Sequence, residues 1–139
     1  MDDPYNLDRF VDAQSGEYEQ VLAELRAGRK QSHWIWFIFP QLKGLGRSST
    51  AEYYGVGSID EARAYLRHPV LGRRLEECSA LVNGIEGRTI DEIFGFPDNL
   101  KFRSSMTLFA QATADNQVFL EALRKYCGGE LDPLTLARL

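Results

Sequence analysis

The stretch DNLKFRSSMTLFAQAT at residues 98–113 places apolar side chains three or four positions apart. An α-helix has about 3.6 residues per turn, so this spacing puts the apolar side chains on one side of a helix. The members of the stripe are Phe102, Met106, Phe109 and either Ala112 or Thr113. Asp98 stands where a helix-capping residue is expected. The stretch therefore predicts a long helix with one buried side.

The same spacing recurs on the N-terminal side of this helix. Residues 7–28 are predicted to be helical, and Gly16 is expected to divide them into two helices that meet near Ser15. Ser58 and Thr89 are each followed three residues later by a glutamate. This is the capping-box pattern, which marks the start of a helix.

Further breaks and starts complete the prediction. The residue before a proline avoids the helical region, so Pro69 separates the helix that follows Ser58 from another that runs to about Val82. Asn116 and the Asp132-Pro133 pair are expected to begin the last two helices. About seven short helices without alternating strands predict an all-α, or mainly α, compact bundle that forms one domain over residues 1–139.

Two segments before Ser58 are less regular. Residues 34–39 read WIWFIF, and periodicity does not distinguish a buried strand from a buried helical turn in so short an apolar run. Pro40 is expected to end it. Residues 41–57 contain four glycines, which predicts an exposed loop with at most a short helix around residues 51–54.

Length and composition limit the class of protein. A chain of 139 residues with 44% hydrophobic residues can bury a core without disulfides or a metal. Its net charge of −4 argues against a broad nucleic-acid-binding face. An acidic start without a signal-peptide pattern, no apolar run long enough for a bilayer and two lone cysteines predict a cytoplasmic protein with reduced thiols. Cys78 falls on an apolar helical stripe and is expected to be core packing.

Polar residues beside the aromatic run form the first candidate site. Ser32 and His33 precede the run and Gln41 follows it, and a polar group next to buried rings must find a partner or face a cavity. A cavity walled by Trp34 or Trp36 would let a flat ligand ring stack there, and Trp34 is the ring that we select as the stacking residue. The alternative is a core anchor in which His33 is buried and hydrogen-bonded.

A second candidate site lies on the predicted long helix. Asp98, Lys101 and either Ser104 or Ser105 share one side of it, which would bring a carboxylate, an amine and a hydroxyl together. The alternative is a cap, a surface ion pair and two small packing residues. A third pattern, Lys43 to Ser49 with Arg47, resembles a phosphate-binding loop, but its spacing is not diagnostic and favours an ordinary turn. No metal-binding motif occurs, so neither a metal site nor a cofactor is predicted.

Several strings resemble the uncharacterised "domain of unknown function 1810" family, some of whose members are labelled calpastatin-like. They are KQSHWIWFIFPQ at residues 30–41, YLRHPVLG at 65–72, IFG at 93–95 and SSMTLF at 104–109. The resemblance covers nearly the whole chain and implies a mainly helical fold but no particular activity. A fainter similarity links the second half to the NADAR group, which is connected with NAD and ADP-ribose metabolism.

Two functional hypotheses follow. In the first, the protein is an enzyme that binds a nucleotide or ADP-ribose-like ligand and cleaves an N-glycosidic or ADP-ribosyl bond. Asp98 or His33 would be the acid or base, Lys101 and Arg47 would contact phosphates, and Trp34 would stack. In the second, the chain is a non-catalytic protein-binding or scaffold module whose partner docks on residues 41–57. The first requires the segments around His33 and Asp98 to converge on one hollow.

Overall fold

A computed structural model describes residues 3–139, so the first two residues of the acidic start lie outside the described range. Ten α-helices follow one another within that range. They are α1 (Asp8–Gln14), α2 (Tyr18–Arg26), α3 (Ile35–Ile38), α4 (Ser49–Tyr54), α5 (Ile59–Arg67), α6 (Leu71–Asn83), α7 (Ile90–Phe94), α8 (Asp98–Ala112), α9 (Gln117–Cys127) and α10 (Pro133–Arg138). The described residues contain no strand, only an isolated parallel bridge between Leu42 and Val56.

The all-α class is confirmed, but the number of helices is ten rather than about seven. Part of the difference comes from the two segments that sequence periodicity left undecided. Residues 34–39 form the single turn α3, and α4 lies inside the predicted loop. The division near Ser15 and the break at Pro69 are both present. Very short helices like α3 are held by tertiary packing rather than by their own propensity.

The long helix predicted from residues 98–113 is the central helix of the fold. Its middle, residues 104–110, is buried on every side rather than on one. Helices α5 and α9 pack along it, and α7 and α10 contact it as well. A helix covered all round carries apolar residues beyond a single stripe, and Leu108 and Ala110 are the residues that the predicted stripe omits.

Aromatic side chains join α3 and α7 to the start of α8. The Phe39 ring meets the Phe102 ring edge-on with centroids 5.0 Å apart, and the Phe94 ring stacks on Phe102 at 4.7 Å. Such ring pairs add about 0.5–1.5 kcal/mol each beyond the area that they bury. This cluster fixes the position of the aromatic run relative to the N-terminal half of α8.

The predicted caps are only partly realised. Thr89 forms a complete capping box with Glu92, and Ser58 accepts a hydrogen bond from the backbone N–H of Glu61 at 3.1 Å. Asn116 and Asp132 occupy the N-cap positions of α9 and α10, as predicted, but neither side chain makes a capping bond. The prediction that Asp98 caps α8 is wrong, because Asp98 is the first residue of that helix and makes no such bond. The two aspartates have other partners, which are described with the candidate site.

A buried ion pair ties the first helix to the fifth. Arg9 donates to the Glu61 carboxylate at 2.7 Å, and each side chain is only 8% exposed. The guanidinium also donates to the carbonyls of Tyr53 and Gly55, at 2.9 and 3.0 Å. The other Glu61 oxygen accepts from the Gly57 backbone N–H at 2.9 Å rather than from that of Ser58, so the capping box predicted at Ser58 is half formed.

Cys78 is fully buried on α6, as its apolar stripe predicts, and burial raises the pKa of its thiol to about 12.

Across residues 3–139, no helix combines the length and the apolar character that crossing a bilayer requires.

Candidate functional site

The two predicted site segments do meet in the structure. The Lys30 ammonium lies 2.7 Å from the Asp98 carboxylate, and Lys101 lies 3.6 Å from the other oxygen of that carboxylate. The side chains of Lys30 and Asp98 are 6% and 18% exposed, so this is a largely buried pair. Segments 30–41 and 98–105 are therefore joined, although the connection is made by Lys30 rather than by Ser32 or His33.

Ser32 belongs to a hydrogen-bond network that stabilises the turn before α3. The buried Glu24 carboxylate accepts from the Ser32 hydroxyl at 2.6 Å, from the Ser32 backbone N–H at 2.9 Å and from the Gln31 backbone N–H at 2.7 Å. Burial alone would raise the pKa of Glu24, but these bonds and one from Gln20 outweigh it and lower the pKa to about 2. Ser32 thus has a structural role in the fold.

The two tryptophans of the aromatic run differ in accessibility. Trp34 has no exposed surface, and its indole N–H donates to Glu24 at 2.9 Å. It cannot stack on a ligand in this conformation, so the prediction that it is the stacking ring is not supported by its position. Trp36 is partly exposed, and the Lys101 ammonium lies 4.8 Å from its ring centroid. Its indole N–H is buried and has no partner among the described residues.

A cleft of about 360 Å³ opens beside Lys101. Its walls come from the loop after α3, from the N-terminal half of α8 and from the start of α10. The lining residues are Gln41, Leu45, Gly46, Pro97, Leu100, Lys101, Arg103, Ser104, Asp132 and Leu134. Three leucines supply much of the surface, which gives the cleft an apolar character with a few polar groups at defined places.

The loop wall depends on a close approach at Gly46. A Cβ atom at this position would lie 2.6 Å from the Cβ of the buried Ala51 and 3.2 Å from the side-chain nitrogen of Gln41. Any residue other than glycine would push the loop away from α4 or displace the Gln41 amide. The glycine-rich loop that resembled a phosphate-binding loop therefore contributes a wall of the cleft.

Most polar groups of the cleft already have partners. The Ser104 hydroxyl lies 2.7 Å from the Asp132 carboxylate, and Arg103 donates to the carbonyls of Glu130 and Leu131 at 3.1 and 2.9 Å. Two lining side chains differ. Neither the Gln41 amide nor the Lys101 ammonium hydrogen-bonds to any residue in the described range, since the Lys101–Asp98 distance is 3.6 Å. These two groups keep hydrogen-bonding capacity for a ligand.

The remaining predicted residues lie elsewhere. His33 and Arg47 are exposed, which excludes the alternative that His33 is a buried anchor. Ser105 is fully buried and its hydroxyl has no partner among residues 3–139. None of the three lines the cleft. Of the nine predicted site residues, Gln41, Lys101 and Ser104 line it, and Asp98 is adjacent through its ion pair with Lys101.

Sequence reasoning missed the cleft residues that are remote in the chain. Leu45, Leu100 and Leu134 are apolar residues outside the buried core, and half or more of the Leu100 and Leu134 side chains is exposed. The sequence offered one signal for Leu100 and Leu134, which is that both are apolar but belong to no predicted helical stripe. Asp132 was identified only as a cap. In residues 3–139, no group of three or more His, Cys, Asp or Glu side chains is arranged to hold a metal ion.

With an all-α fold and a small cleft established, comparisons with known proteins identify the family. A family model described as "Protein of unknown function (DUF1810)" matches residues 4–139, so the chain belongs to that family. A solved structure, the conserved hypothetical protein Rv1873 from Mycobacterium tuberculosis, is 58% identical and superposes with a TM-score of 0.98. The match covers 99% of this chain and 98% of that one. No curated protein matches. The similarity to the NADAR group finds no support in these comparisons.

Proposed function

We propose that the cleft between the loop after α3, α8 and α10 binds a small nucleotide-like ligand. The observation that carries the proposal is Lys101, which lines the cleft and whose ammonium lies over the Trp36 ring and makes no hydrogen bond within residues 3–139. An ammonium held in one place by an aromatic face and a neighbouring carboxylate is preorganised to contact an anionic group.

The rest of the cleft suits the remainder of such a ligand. Leu45, Leu100 and Leu134 offer apolar surface to a flat ring, and the Gln41 amide can both donate and accept hydrogen bonds. A volume of about 360 Å³ falls within the range of roughly 300–1,000 Å³ that is typical of small-molecule sites. These features support binding of a ring-containing anion.

Hydrolysis of an N-glycosidic or ADP-ribosyl bond stays a prediction. Both oxygens of Asp98 face lysine ammonium groups, and His33 is exposed outside the cleft. The proposal is therefore limited to binding. Incubation of the protein with NAD and with ADP-ribose, followed by chromatography of the products, tests the catalytic prediction directly.

Calorimetric titration of a panel containing nucleosides, nucleotides, NAD and ADP-ribose tests the proposal. Leu100→Asp places a carboxylate on the cleft wall at a half-exposed position, so we expect it to abolish binding while the protein stays folded. Leu136→Asp is the matched control, because Leu136 is similarly exposed but does not line the cleft. Equal binding by both variants would place the site elsewhere. A panel without any binding would refute the proposal and favour the alternative, a protein-binding module.

A further inference from the structure

We infer that the ligand of this cleft carries a single anionic group and a hydrogen-bond donor, as a nucleoside monophosphate does, and that diphosphates such as ADP-ribose are disfavoured. The inference rests on the proposed function and narrows it to one class of nucleotide. Its basis is the inventory of charges around the cleft: one available cation, and one carboxylate that faces the same space.

Lys101 is the cation available to an anion. Its side chain lines the cleft and is 21% exposed. Arg103 also lines the cleft, but it is directed to the carbonyls of Glu130 and Leu131, and its guanidinium lies 3.6 Å from the Glu130 carboxylate. Lys30 is paired with Asp98 at 2.7 Å and does not line the cleft. Among residues 3–139, the cleft offers no second free cation to another phosphate.

Asp132 gives the cleft a negative group. Ser104 and Thr135 both donate to one of its oxygens, at 2.7 and 2.6 Å, and the other oxygen has no side-chain partner among residues 3–139. Ser104 follows Lys101 by three residues on α8, a rise of about 4.5 Å along the helix axis. The cleft therefore presents an ammonium and, about one helical turn away, a carboxylate oxygen. That oxygen accepts from a ribose hydroxyl or a base amine and repels a second anion.

The size of the cleft favours the smaller ligand as well. Its volume of about 360 Å³ lies near the lower end of the range of roughly 300–1,000 Å³ for small-molecule sites. A monophosphate with one ring system suits this volume better than a molecule with a diphosphate bridge and a second sugar. Charge and volume thus select the same class.

Calorimetry with adenosine, adenosine 5′-monophosphate and ADP-ribose tests the inference on the full chain. We expect the monophosphate to bind about tenfold or more tightly than either of the others, because only it satisfies Lys101 without meeting Asp132 as a second anion. ADP-ribose binding as tightly as the monophosphate would overturn this inference and leave the proposed function standing. If none of the three binds, both fail.

Two substitutions test whether Lys101 and Asp132 cause the preference for the monophosphate. Lys101→Met should remove the advantage of the monophosphate over adenosine, whereas Arg124→Met, at an exposed cation on α9 that does not line the cleft, should leave the advantage unchanged. Asp132→Asn keeps the shape and one acceptor oxygen, and it should narrow the gap between the monophosphate and ADP-ribose severalfold. A monophosphate preference that survives Lys101→Met would overturn the assignment of the anion site.

Discussion

Glu24 shows how one side chain stabilises the start of the aromatic run. Its carboxylate collects hydrogen bonds from Ser32, Gln31, Gln20 and the Trp34 indole, so its charged form is favoured in the folded protein. The pKa falls from 4.5 to about 2 on folding. A carboxyl whose pKa is lowered by folding adds stability above its unfolded pKa, and that stability is lost as the pH falls towards the folded pKa.

We therefore expect Glu24→Gln to lower the free energy of unfolding by up to about 3 kcal/mol at pH 7. The difference between the variant and the natural protein should shrink as the pH falls from 4.5 to 2, because the carboxyl is protonated in the unfolded state over this range while the folded state still holds it ionised. Urea unfolding across this pH range measures it. Glu19→Gln, at an exposed glutamate on the same helix, is the control and should leave the curve unchanged. A constant difference at every pH would contradict the assignment.

The position of His33 does not support the acid or base role that the sequence predicts for it. It is exposed and lies outside the cleft, so removing its side chain orphans no buried partner. We expect His33→Ala to change stability by less than about 0.5 kcal/mol and to leave ligand affinity unchanged. Thermal unfolding and calorimetry on the same sample check both. Loss of binding in this variant would move the site towards the N-terminus of α3.

At the scale of elements, α10 is attached to the fold by hydroxyl groups. The Asp132 carboxylate accepts from Ser104 and Thr135, and the Asp132 backbone N–H donates to the Thr107 hydroxyl at 2.9 Å. A helix of six residues is not stable alone. These bonds therefore hold the element that carries Leu134 into the cleft wall.

Thr135→Val preserves the shape of a fully buried residue and removes one of these bonds. We expect amide hydrogen exchange in residues 133–139 to become about fivefold faster, since a typical hydrogen bond contributes about 1 kcal/mol. Mass spectrometry of peptides from α5 and α8 should show unchanged protection. Faster exchange spread evenly over the chain would mean that α10 is part of the global unfolding unit.

Most of the elements were predictable because their signals are local. Apolar spacing and the Thr89–Glu92 box depend on residues within one or two turns, and both correspond to helices in the structure. The prediction failed where the partner of a side chain lies far away in the sequence and is determined by tertiary packing. Asp98 binds Lys30, which is 68 positions away in the chain, instead of capping its own helix. The apolar run 34–39 could not be assigned because its state depends on Phe94 and Phe102, which pack around it.

At the scale of the whole molecule, the buried Arg9–Glu61 pair connects the N-terminal helix to the middle of the chain. Removing one member of a buried pair leaves the other charge without compensation, which typically costs about 3–5 kcal/mol. We expect Arg9→Met to destabilise the protein by that amount in urea unfolding. Arg63→Met breaks an exposed pair with Asp60 and should cost less than about 1 kcal/mol. Similar losses in the two variants would contradict the structural role of Arg9.

The candidate site, like the fold, was only partly predictable from the sequence. Segments 30–41 and 98–105 were expected to meet on one hollow; Lys30 and Asp98 join them, but Ser32 and His33 do not line the cleft, whereas Lys101 and Gln41 do. The third wall was not predicted, because the apolar Leu134 marks an exposed position but only the packing of α10 against α8 decides which surface it joins. Which of Trp34 and Trp36 is buried depends on which indole N–H donates to Glu24, and this contact is also decided by tertiary packing.

The contact between Lys101 and Trp36 gives the protein a built-in optical reporter. Trp34 is sealed in the interior, so iodide or acrylamide in solution should not quench its emission, whereas the partly exposed Trp36 is accessible. An anion that binds the Lys101 ammonium changes the electrostatic surroundings of the Trp36 indole beneath it, while Trp34 stays sealed in the interior. In a Trp34→Phe protein, Trp36 is the single tryptophan, so its fluorescence would report ligand binding at the cleft without an added dye.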